Sequence, residues 1–247
     1  MISMKTVLDA NQLSFQNVEG WVGDRIWTIC EFIQDDQREH SVSGSIAEIG
    51  VHHGKLFFII SHIGNEATKL IAIDLFDDQQ KNIDASGSGS AVVFQRHVDT
   101  LFPELAPRIK VVSADSMSLT TSMRAQVFEE PVRVFSVDGG HTVQHVINDM
   151  LVAQDVLAPR GTVMLDDFMG PLWPSVTEGF FQYMASHNIR LAPYLVFQNK
   201  LFLTTYSEQT SVVDSLTHYV ERMVGEEYFT GRWRHATLCG CKVLCFV

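Results

Sequence analysis

Acidic residues follow two short apolar segments in the second half of the chain. The segment VRVFSV is followed by Asp138, two glycines and His141, and the segment TVML is followed by Asp166 and Asp167. If both segments are neighbouring parallel strands, their ends meet at one edge of the sheet and the three carboxylates converge. Like charges that close repel each other unless one is protonated or a cation binds. Because Mg²⁺ and Ca²⁺ prefer oxygen ligands, we expect Asp138, Asp166 and Asp167 to hold a divalent metal, with Mg²⁺ the first candidate.

The same residues can also move a proton. Histidine has an ordinary pKa of about 6.5, so His141 can act as a general base near neutral pH, and Asp138 can serve as base or metal ligand. We therefore predict Asp138 and His141 as catalytic residues. His145 follows at helical spacing and is expected to be structural. The alternative for the aspartates is that one caps a helix and the others are solvated.

A glycine turn in the first third of the chain predicts a ligand site without phosphate. The stretch EIGVHHGK has the pattern Glu48-x-Gly50-x-x-x-Gly54. It lacks the middle glycine of a dinucleotide turn, is one residue too short for a phosphate-binding loop, and has Leu56 where that loop needs a hydroxyl. An acid before the first glycine suits a cationic amino group, and Asp74, which closes the next apolar segment, suits a ribose. An amino group and a ribose without phosphate describe S-adenosylmethionine, although a strand, turn and helix can show this spacing by chance.

Apolar segments alternate with helical patterns over most of the chain, which predicts the architecture that must position these residues. Such alternation is typical of an α/β fold with a parallel sheet covered on both faces. We expect a doubly wound, mostly parallel, seven-stranded, Rossmann-like sheet. The segments IRLAPYLVFQ and KLFLTTY, which flank Asn199, predict an antiparallel hairpin near the C-terminus. Residues 1–40 are expected to form a helical segment that packs on a core domain of residues 41–247.

Two further segments are predicted to border the site. The polar Gly/Ser-rich stretch from Asp77 to Ser90 has the composition of a loop that can close over a ligand. The stretch FMGPLWPSVTEG follows Asp167, and its Phe168 and Trp173 are candidates for stacking on a sugar or another ring.

Composition and charge limit the classes of partner. The formal net charge of −11 argues against nucleic acid as a ligand, since such surfaces need clustered Lys and Arg. The chain has neither an apolar run long enough to span a bilayer nor a signal-peptide pattern at its N-terminus, so we expect a cytoplasmic protein with no membrane partner. Cys239, Cys241 and Cys245 crowd the C-terminus, which is unlike a disulfide framework, and their alternating segment favours a strand over a metal cluster with His235.

Taken together, the motifs resemble those of the class I S-adenosylmethionine-dependent methyltransferases over nearly the whole chain. AEIGVHHG, IAIDLF, SADS, SVDGGH and VMLDDF occur in the expected order, and the resemblance is strongest to the macrocin-type and sugar O-methyltransferases. It implies that residues 41–247 form the methyltransferase domain and that Asp138, Asp166 and Asp167 hold a divalent metal. For the cofactor it implies contacts to the methionine part from Gly50 and Gly54, to its amino group from Glu48, to the ribose from Asp74, and near the adenine from Asp115 and Ser116.

The resemblance predicts an O-methyltransferase that acts on a hydroxyl of a small metabolite, either a sugar or a glycosylated natural product, with assistance from a divalent metal. A homodimer is a further expectation. Two alternatives stay open at this point: a metal-independent N- or O-methyltransferase with His141 as base, and a non-catalytic protein that binds the cofactor. His52 and His53 in the glycine turn have no assigned role.

Overall fold

Nine strands form one sheet in the described part of the chain, which comprises residues 14–23, 25–223 and 233–246 of a computed structural model. The strands are β1 (Ser45–Ile49), β2 (Leu70–Asp74), β3 (Ile109–Ser113), β4 (Val132–Val137), β5 (Leu157–Leu165), β6 (Leu191–Phe197), β7 (Lys200–Thr205), β8 (Trp233–Leu238) and β9 (Cys241–Phe246). The helices are α1 (Ile26–Glu39), α2 (Lys55–Ile60), α3 (Ala91–Leu101), α4 (Thr121–Val127), α5 (Val143–Val156), α6 (Pro174–Met184) and α7 (Gln209–Met223).

The strand order β3-β2-β1-β4-β5-β7-β6-β9-β8 confirms the predicted α/β class. Strands β1 to β5 pair in parallel, and β7 is inserted antiparallel between β5 and β6, as the predicted hairpin requires. The predicted count of seven strands is wrong. The C-terminal segment adds a hairpin of β8 and β9, and β8 was missed because Arg234, His235 and Thr237 give it the polarity of a loop.

Helices cover the two faces of the sheet and enclose two apolar clusters. Buried residues of α1, α2, α3 and α7 form one cluster, and buried residues of α4, α5 and α6 form the other. Central strands are buried along their whole length, as in β1 and β4, which explains why they read as continuous apolar runs. None of the helices among the described residues is long and apolar enough to cross a membrane.

The parallel strands bring their carboxyl ends to one edge of the sheet. Backbone hydrogen bonds continue past the strand ends, from Gly50 N to Ile73 O, from Asp138 N to Ile49 O and from Asp166 N to Val137 O, at 2.9, 2.9 and 3.0 Å. The acidic residues that follow β2, β4 and β5 therefore lie on a common edge, as the sequence predicts.

A buried ion pair ties the N-terminal helix to the sheet. The Arg160 guanidinium makes two hydrogen bonds to the Asp36 carboxylate, at 2.8 and 2.7 Å, and their side chains are 4% and 6% exposed. Arg160 also donates hydrogen bonds to Glu208, just before α7, at 3.2 Å and to Ser211, on α7, at 2.8 Å. Arg160 lies in the first part of β5, where it adopts a φ of 59°.

The Arg160–Asp36 pair gives a test of how α1 is attached. Arg160→Met leaves the Asp36 carboxylate buried without its cation, so we expect a loss of about 3–5 kcal/mol in the free energy of unfolding. Urea unfolding followed by circular dichroism measures it. The control is Arg190→Met, since Arg190 pairs with Asp155 at the surface, with side chains 61% and 54% exposed, and should cost less than about 1 kcal/mol. Equal losses in the two variants would contradict a structural role for the buried pair.

Candidate active site

A cavity of about 610 Å³ lies at the carboxyl edge of the parallel strands. Its volume falls within the range usual for small-molecule sites. The lining includes most of the residues that the sequence predicts for cofactor, metal and catalysis, namely Glu48, Gly50, Asp74, Asp115, Ser116, Asp138, His141, Asp166 and Asp167. Glu19, Trp21 and Val22, from the segment before α1, also line it.

Glu48 lies near the end of β1, where it is 1% exposed. Its Oε2 atom is buried and has no hydrogen-bond partner among the residues that the structure describes. Burial raises the pKa of this carboxyl to about 8, against a hydrogen bond with Ser136 and the charge of Lys200, which lower it. A buried acid with an unused oxygen at the wall of a cavity suits a ligand that brings its own cationic donor.

The two glycines of the turn are explained by the backbone of this protein. Gly50 has a φ of 88°, and a Cβ there would overlap the carbonyl oxygen of Asp138. Gly54 begins α2 with a φ of 97°, and a Cβ there would lie 2.5 Å from the Phe58 ring. Gly50 lines the cavity, but Gly54 is not among the lining residues. The spacing of the turn is therefore fixed by packing between β1, β4 and α2.

Asp74 ends β2 and holds the turn in place. Its Oδ2 accepts a hydrogen bond from the His52 backbone N at 2.7 Å, and its Oδ1 accepts one from Phe76 N at 2.5 Å. Burial raises the pKa of Asp74, against these two hydrogen bonds, which lower it. His52 has a φ of 52°, and its ring lies at the cavity wall beside Trp21, with ring centroids 5.5 Å apart. His52 thus contributes its backbone to the turn and its ring to the rim.

Residues after β3 form another part of the wall. The Asp115 carboxylate accepts a hydrogen bond from Met117 N at 2.9 Å, and Ser116 is buried beside it. The Ser116 carbonyl accepts a hydrogen bond from the Asn148 side chain of α5 at 3.2 Å. Both predicted residues therefore face the cavity, with α5 fixing the turn from behind.

Asp166 is paired with a cationic side chain of the protein. Lys200, the first residue of β7, is 2% exposed, and its Nζ forms an ion pair with Asp166 Oδ2. Asn199 donates to Asp166 Oδ1 at 2.9 Å and to Asp167 Oδ1 at 3.2 Å. Burial lowers the pKa of Lys200, but the charges of Asp166, Asp138 and Glu48 outweigh it and raise that pKa overall.

Three carboxylates lie around His141, and two of them, Asp138 and Asp167, belong to the predicted metal ligands. Its Nε2 lies 3.2 Å from Asp167 Oδ2 and 4.0 Å from Asp138 Oδ1, and its Nδ1 lies 3.2 Å from Asp84 Oδ2. Burial lowers the pKa of His141, but the hydrogen bond with Asp167 and the charge of Asp84 raise it overall. Burial and the charge of Asp166 raise the pKa of Asp138 well above its usual value.

The structure corrects the predicted surroundings of His141. The helix that follows begins at Val143, so His141 lies before it and not on one face with His145. Trp173 lines the cavity and stacks on His141, with centroids 4.3 Å apart and an interplanar angle of 22°. The expectation that Phe168 forms a wall is wrong, because it is 1% exposed and packs in the core against α6.

Sequence reasoning missed Asp84, Asn199 and Lys200. Asp84 belongs to the loop that was predicted as a lid, but no pattern marks it among the acids of that loop. Lys200 stands at the start of an apolar strand, where a lysine usually indicates a solvent-exposed end.

This arrangement can bind a cation or receive a proton. Donor atoms of Asp138, His141 and Asp167 lie within 4.8 Å of one another, the one such group found among the described residues. Two carboxylates beside an imidazole fit a divalent ion, and the same imidazole fits a general base.

Comparisons with known proteins agree with the fold. Residues 47–168 match the family model described as a methyltransferase domain. An O-methyltransferase from Bacillus cereus, solved with S-adenosylhomocysteine, is 13% identical with a TM-score of 0.53, covering 82% of this chain and 89% of its own. The Podospora anserina methyltransferase PaMTH1, also solved with S-adenosylhomocysteine, is 11% identical with a TM-score of 0.51. The match covers 83% of this chain and 97% of PaMTH1.

The O-methyltransferase NovP is 16% identical with a TM-score of 0.51, covering 72% of this chain and 80% of its own. No curated protein sequence matches the chain significantly. The family match covers the strands that build the cavity, so residues 47–168 form a methyltransferase domain, and the solved structures share its fold.

Proposed function

We propose that this protein transfers the methyl group of S-adenosylmethionine to a hydroxyl of a small metabolite. The observation that carries the proposal is a single cavity with two different ends. One end has the buried carboxyl of Glu48 with its unpartnered Oε2, and the other has His141 between Asp84 and Asp167. The first end suits the amino group of a methyl donor, and the second suits a hydroxyl that must lose its proton.

The cofactor is assigned to the turns after β1, β2 and β3. Glu48 faces its amino group, Gly50 leaves room beside the methionine part, and Asp74 lies where a ribose can donate to its remaining lone pairs. Asp115 and Ser116 border the adenine. Gly54 has a conformational role instead of a direct contact. The Bacillus cereus relative, which was solved with S-adenosylhomocysteine, supports a cofactor of this class.

The acceptor is assigned to the opposite rim, where apolar side chains surround polar ones. Leu172 lines the cavity while remaining 81% exposed, and Trp173 lies over His141. Aromatic faces next to carboxylates and an imidazole suit a sugar ring or a glycosylated compound, which offers C–H faces and hydroxyls together. We therefore assign a sugar or a glycosylated natural product as the acceptor.

When bound, S-adenosylmethionine would supply an electrophilic methyl group and a thioether leaving group that keeps the electron pair of the S–C bond, as an in-line attack by the acceptor oxygen requires. The chain's own contribution is positioning and removal of the hydroxyl proton. The neutral His141 ring receives that proton, and Asp84 and Asp167, each 3.2 Å from one of its nitrogens, stabilise the imidazolium that forms. Trp173 holds the ring by stacking.

A divalent cation, with Mg²⁺ the first candidate, is assigned to Asp138 and Asp167, next to His141. When bound, it would lower the pKa of the acceptor hydroxyl. Asp166 was predicted as a third ligand, but its pairing with Lys200 makes its role the support of Asp167 and Asn199. The same lysine favours the second candidate function, a metal-independent methyltransferase with His141 as base, because it already neutralises one carboxylate. The homodimer and the cytoplasmic location stay predictions.

Glu48→Gln tests the cofactor assignment. The amide keeps the shape but loses the charge, so we expect S-adenosylhomocysteine to bind at least about tenfold more weakly, as for loss of a hydrogen bond between charged groups. Isothermal titration calorimetry measures it. Glu66→Gln, at an exposed loop position, is the control and should bind like the wild type. Unchanged affinity in Glu48→Gln would remove Glu48 from the cofactor site.

Proton release gives an independent test of the same residue. With a pKa of about 8 in the empty cavity, Glu48 is mostly protonated at pH 7. A ligand ammonium favours the carboxylate, so binding at pH 7 should release a fraction of a proton, and the release should fade above pH 9, where Glu48 is already charged. Titrations of EDTA-treated protein in two buffers of different ionisation enthalpy measure this release. The same release from Glu48→Gln would assign the proton to another group.

Chelation and substitution test the metal. We expect Mn²⁺, used as a paramagnetic substitute for Mg²⁺, to bind at least about tenfold more weakly to Asp138→Asn and Asp167→Asn than to the wild type. Electron paramagnetic resonance of free Mn²⁺ measures it, with the exposed Asp99→Asn as control. Wild-type turnover that survives exhaustive EDTA treatment would favour the metal-independent alternative.

His141→Ala tests the proton acceptor. General base catalysis contributes about 10²- to 10⁴-fold, so kcat should fall by that factor while the affinity for S-adenosylhomocysteine stays close to that of the wild type. The assay uses methyl-labelled S-adenosylmethionine and an acceptor found by screening sugars and phenols. The exposed His187→Ala is the control. Full activity of His141→Ala would exclude both candidate mechanisms that use it as base.

A further inference from the structure

Lys55, the first residue of α2, places a cationic side chain at the wall of the acidic cavity. The lysines of the cavity lining are Lys55 and Lys81, and acidic residues outnumber them. Lys81 is paired with Asp78 at 2.7 Å. The Lys55 ammonium, by contrast, has no hydrogen bond or ion pair with any residue that the structure describes, and the side chain is only partly exposed. Lys55 is therefore the lining lysine whose charge the protein leaves unmatched.

The stem of Lys55 lies along the segment that precedes α1. A Cβ on Gly20 would be 2.9 Å from Lys55 Cβ and 3.4 Å from its Cδ, so the lysine packs directly on the Gly20 backbone. Gly20 and Trp21 both line the cavity. The neighbouring acid, Glu19, faces another residue, because its carboxylate lies 3.2 Å from His53 Nδ1. The segment thus holds the lysine in place without neutralising it.

Lys55 and Glu48 flank the glycine turn. Glu48 lies two residues before Gly50, and Lys55 directly follows Gly54. Both side chains line the cavity, and Glu48 Oε2 is buried without a hydrogen-bond partner among the described residues. A ligand that satisfies both residues needs a cationic donor and an anionic acceptor on adjacent groups, as in an α-amino acid. The methionine part of the proposed cofactor carries these two groups, and its carboxylate has no partner assigned above.

We propose that Lys55 binds the carboxylate of the methionine part, while Glu48 receives the amino group. The inference rests on the proposed function, because it presupposes S-adenosylmethionine as the cofactor. An anion that enters a cavity lined mostly by acids needs a cation beside it, and Lys81 is already paired. Lys55 therefore selects ligands that carry the complete amino acid group over ligands that lack the carboxylate.

Three ligands that differ in this group test the assignment. S-adenosylhomocysteine carries the amino group and the carboxylate, its decarboxylated analogue carries only the amino group, and methylthioadenosine carries neither. Isothermal titration calorimetry of the whole chain measures the three affinities. We expect the wild type to bind S-adenosylhomocysteine about tenfold more tightly than the decarboxylated analogue, as for one hydrogen bond between charged groups.

Variants of Lys55 assign this preference to a side chain. Lys55→Met keeps the stem that packs on Gly20 but removes the charge, so S-adenosylhomocysteine should bind about tenfold more weakly and the decarboxylated analogue as in the wild type. Lys55→Arg keeps a cation and should retain most of the preference. The control is Lys69→Met, because Lys69 pairs with Glu129 and directly precedes β2, at the opposite edge of the sheet. It should match the wild type with all three ligands.

A full preference for the carboxylate-bearing ligand in Lys55→Met would overturn the proposal. If Lys55→Met does not fold, Lys55→Gln takes its place under the same criterion. Equal affinity of the wild type for S-adenosylhomocysteine and its decarboxylated analogue would also overturn the role of Lys55, while the cofactor assignment would stand. Wild-type protein that binds none of the three ligands would refute the proposed cofactor itself.

Discussion

The arrangement of the site depends on one buried cation, the Lys200 ammonium against Asp166. The register pairs Val137 with Leu165 and Leu165 with Leu201, so Asp138, Asp166 and Lys200 follow side by side at the edge. The antiparallel hairpin thus delivers a positive charge to the place where parallel strands deliver negative ones. A buried ion that loses its partner costs about 3–5 kcal/mol, so this edge cannot hold its acids without the lysine.

Once Lys200 is in place, each carboxyl of the cavity has a different environment. Burial leaves Glu48 with a pKa of about 8 and an unused oxygen. Asp166 is fully occupied by Lys200, Asn199 and the Asp167 backbone. Burial raises the pKa of Asp167, but its hydrogen bond with His141 lowers it overall. The acids of one edge are therefore specialised by their surroundings instead of acting as one cluster.

The sequence predicts the parallel part of the fold and the site residues that depend on it. Strands of continuous apolar residues can be recognised in the sequence. Residues at their ends, such as Glu48, Asp74 and Asp138, must share an edge of the sheet once the strands are parallel. Residues that reach the site from elsewhere carry no such signal. Asp84 depends on how a polar loop folds back, and Lys200 depends on the insertion of β7 beside β5, which no local pattern shows. The spacing of Gly50 and Gly54 marks a turn, but their conformational reason needs the contacts with Asp138 and Phe58.

Asp138 is the carboxyl that receives the fewest contacts from its neighbours at this edge of the sheet. It borders Asp166, whose charge raises its pKa, and its contact with His141 is 4.0 Å, longer than the 3.2 Å of Asp167. Its side chain is 28% exposed toward the cavity, so a ligand can reach it. A divalent cation or the hydroxyl of an acceptor would supply the positive charge or the donor that the protein itself withholds. The uneven distribution of partners among Glu48, Asp138, Asp166 and Asp167 thus leaves a carboxyl open to a ligand at the end of β4, one residue past the strand that lies beside the glycine turn.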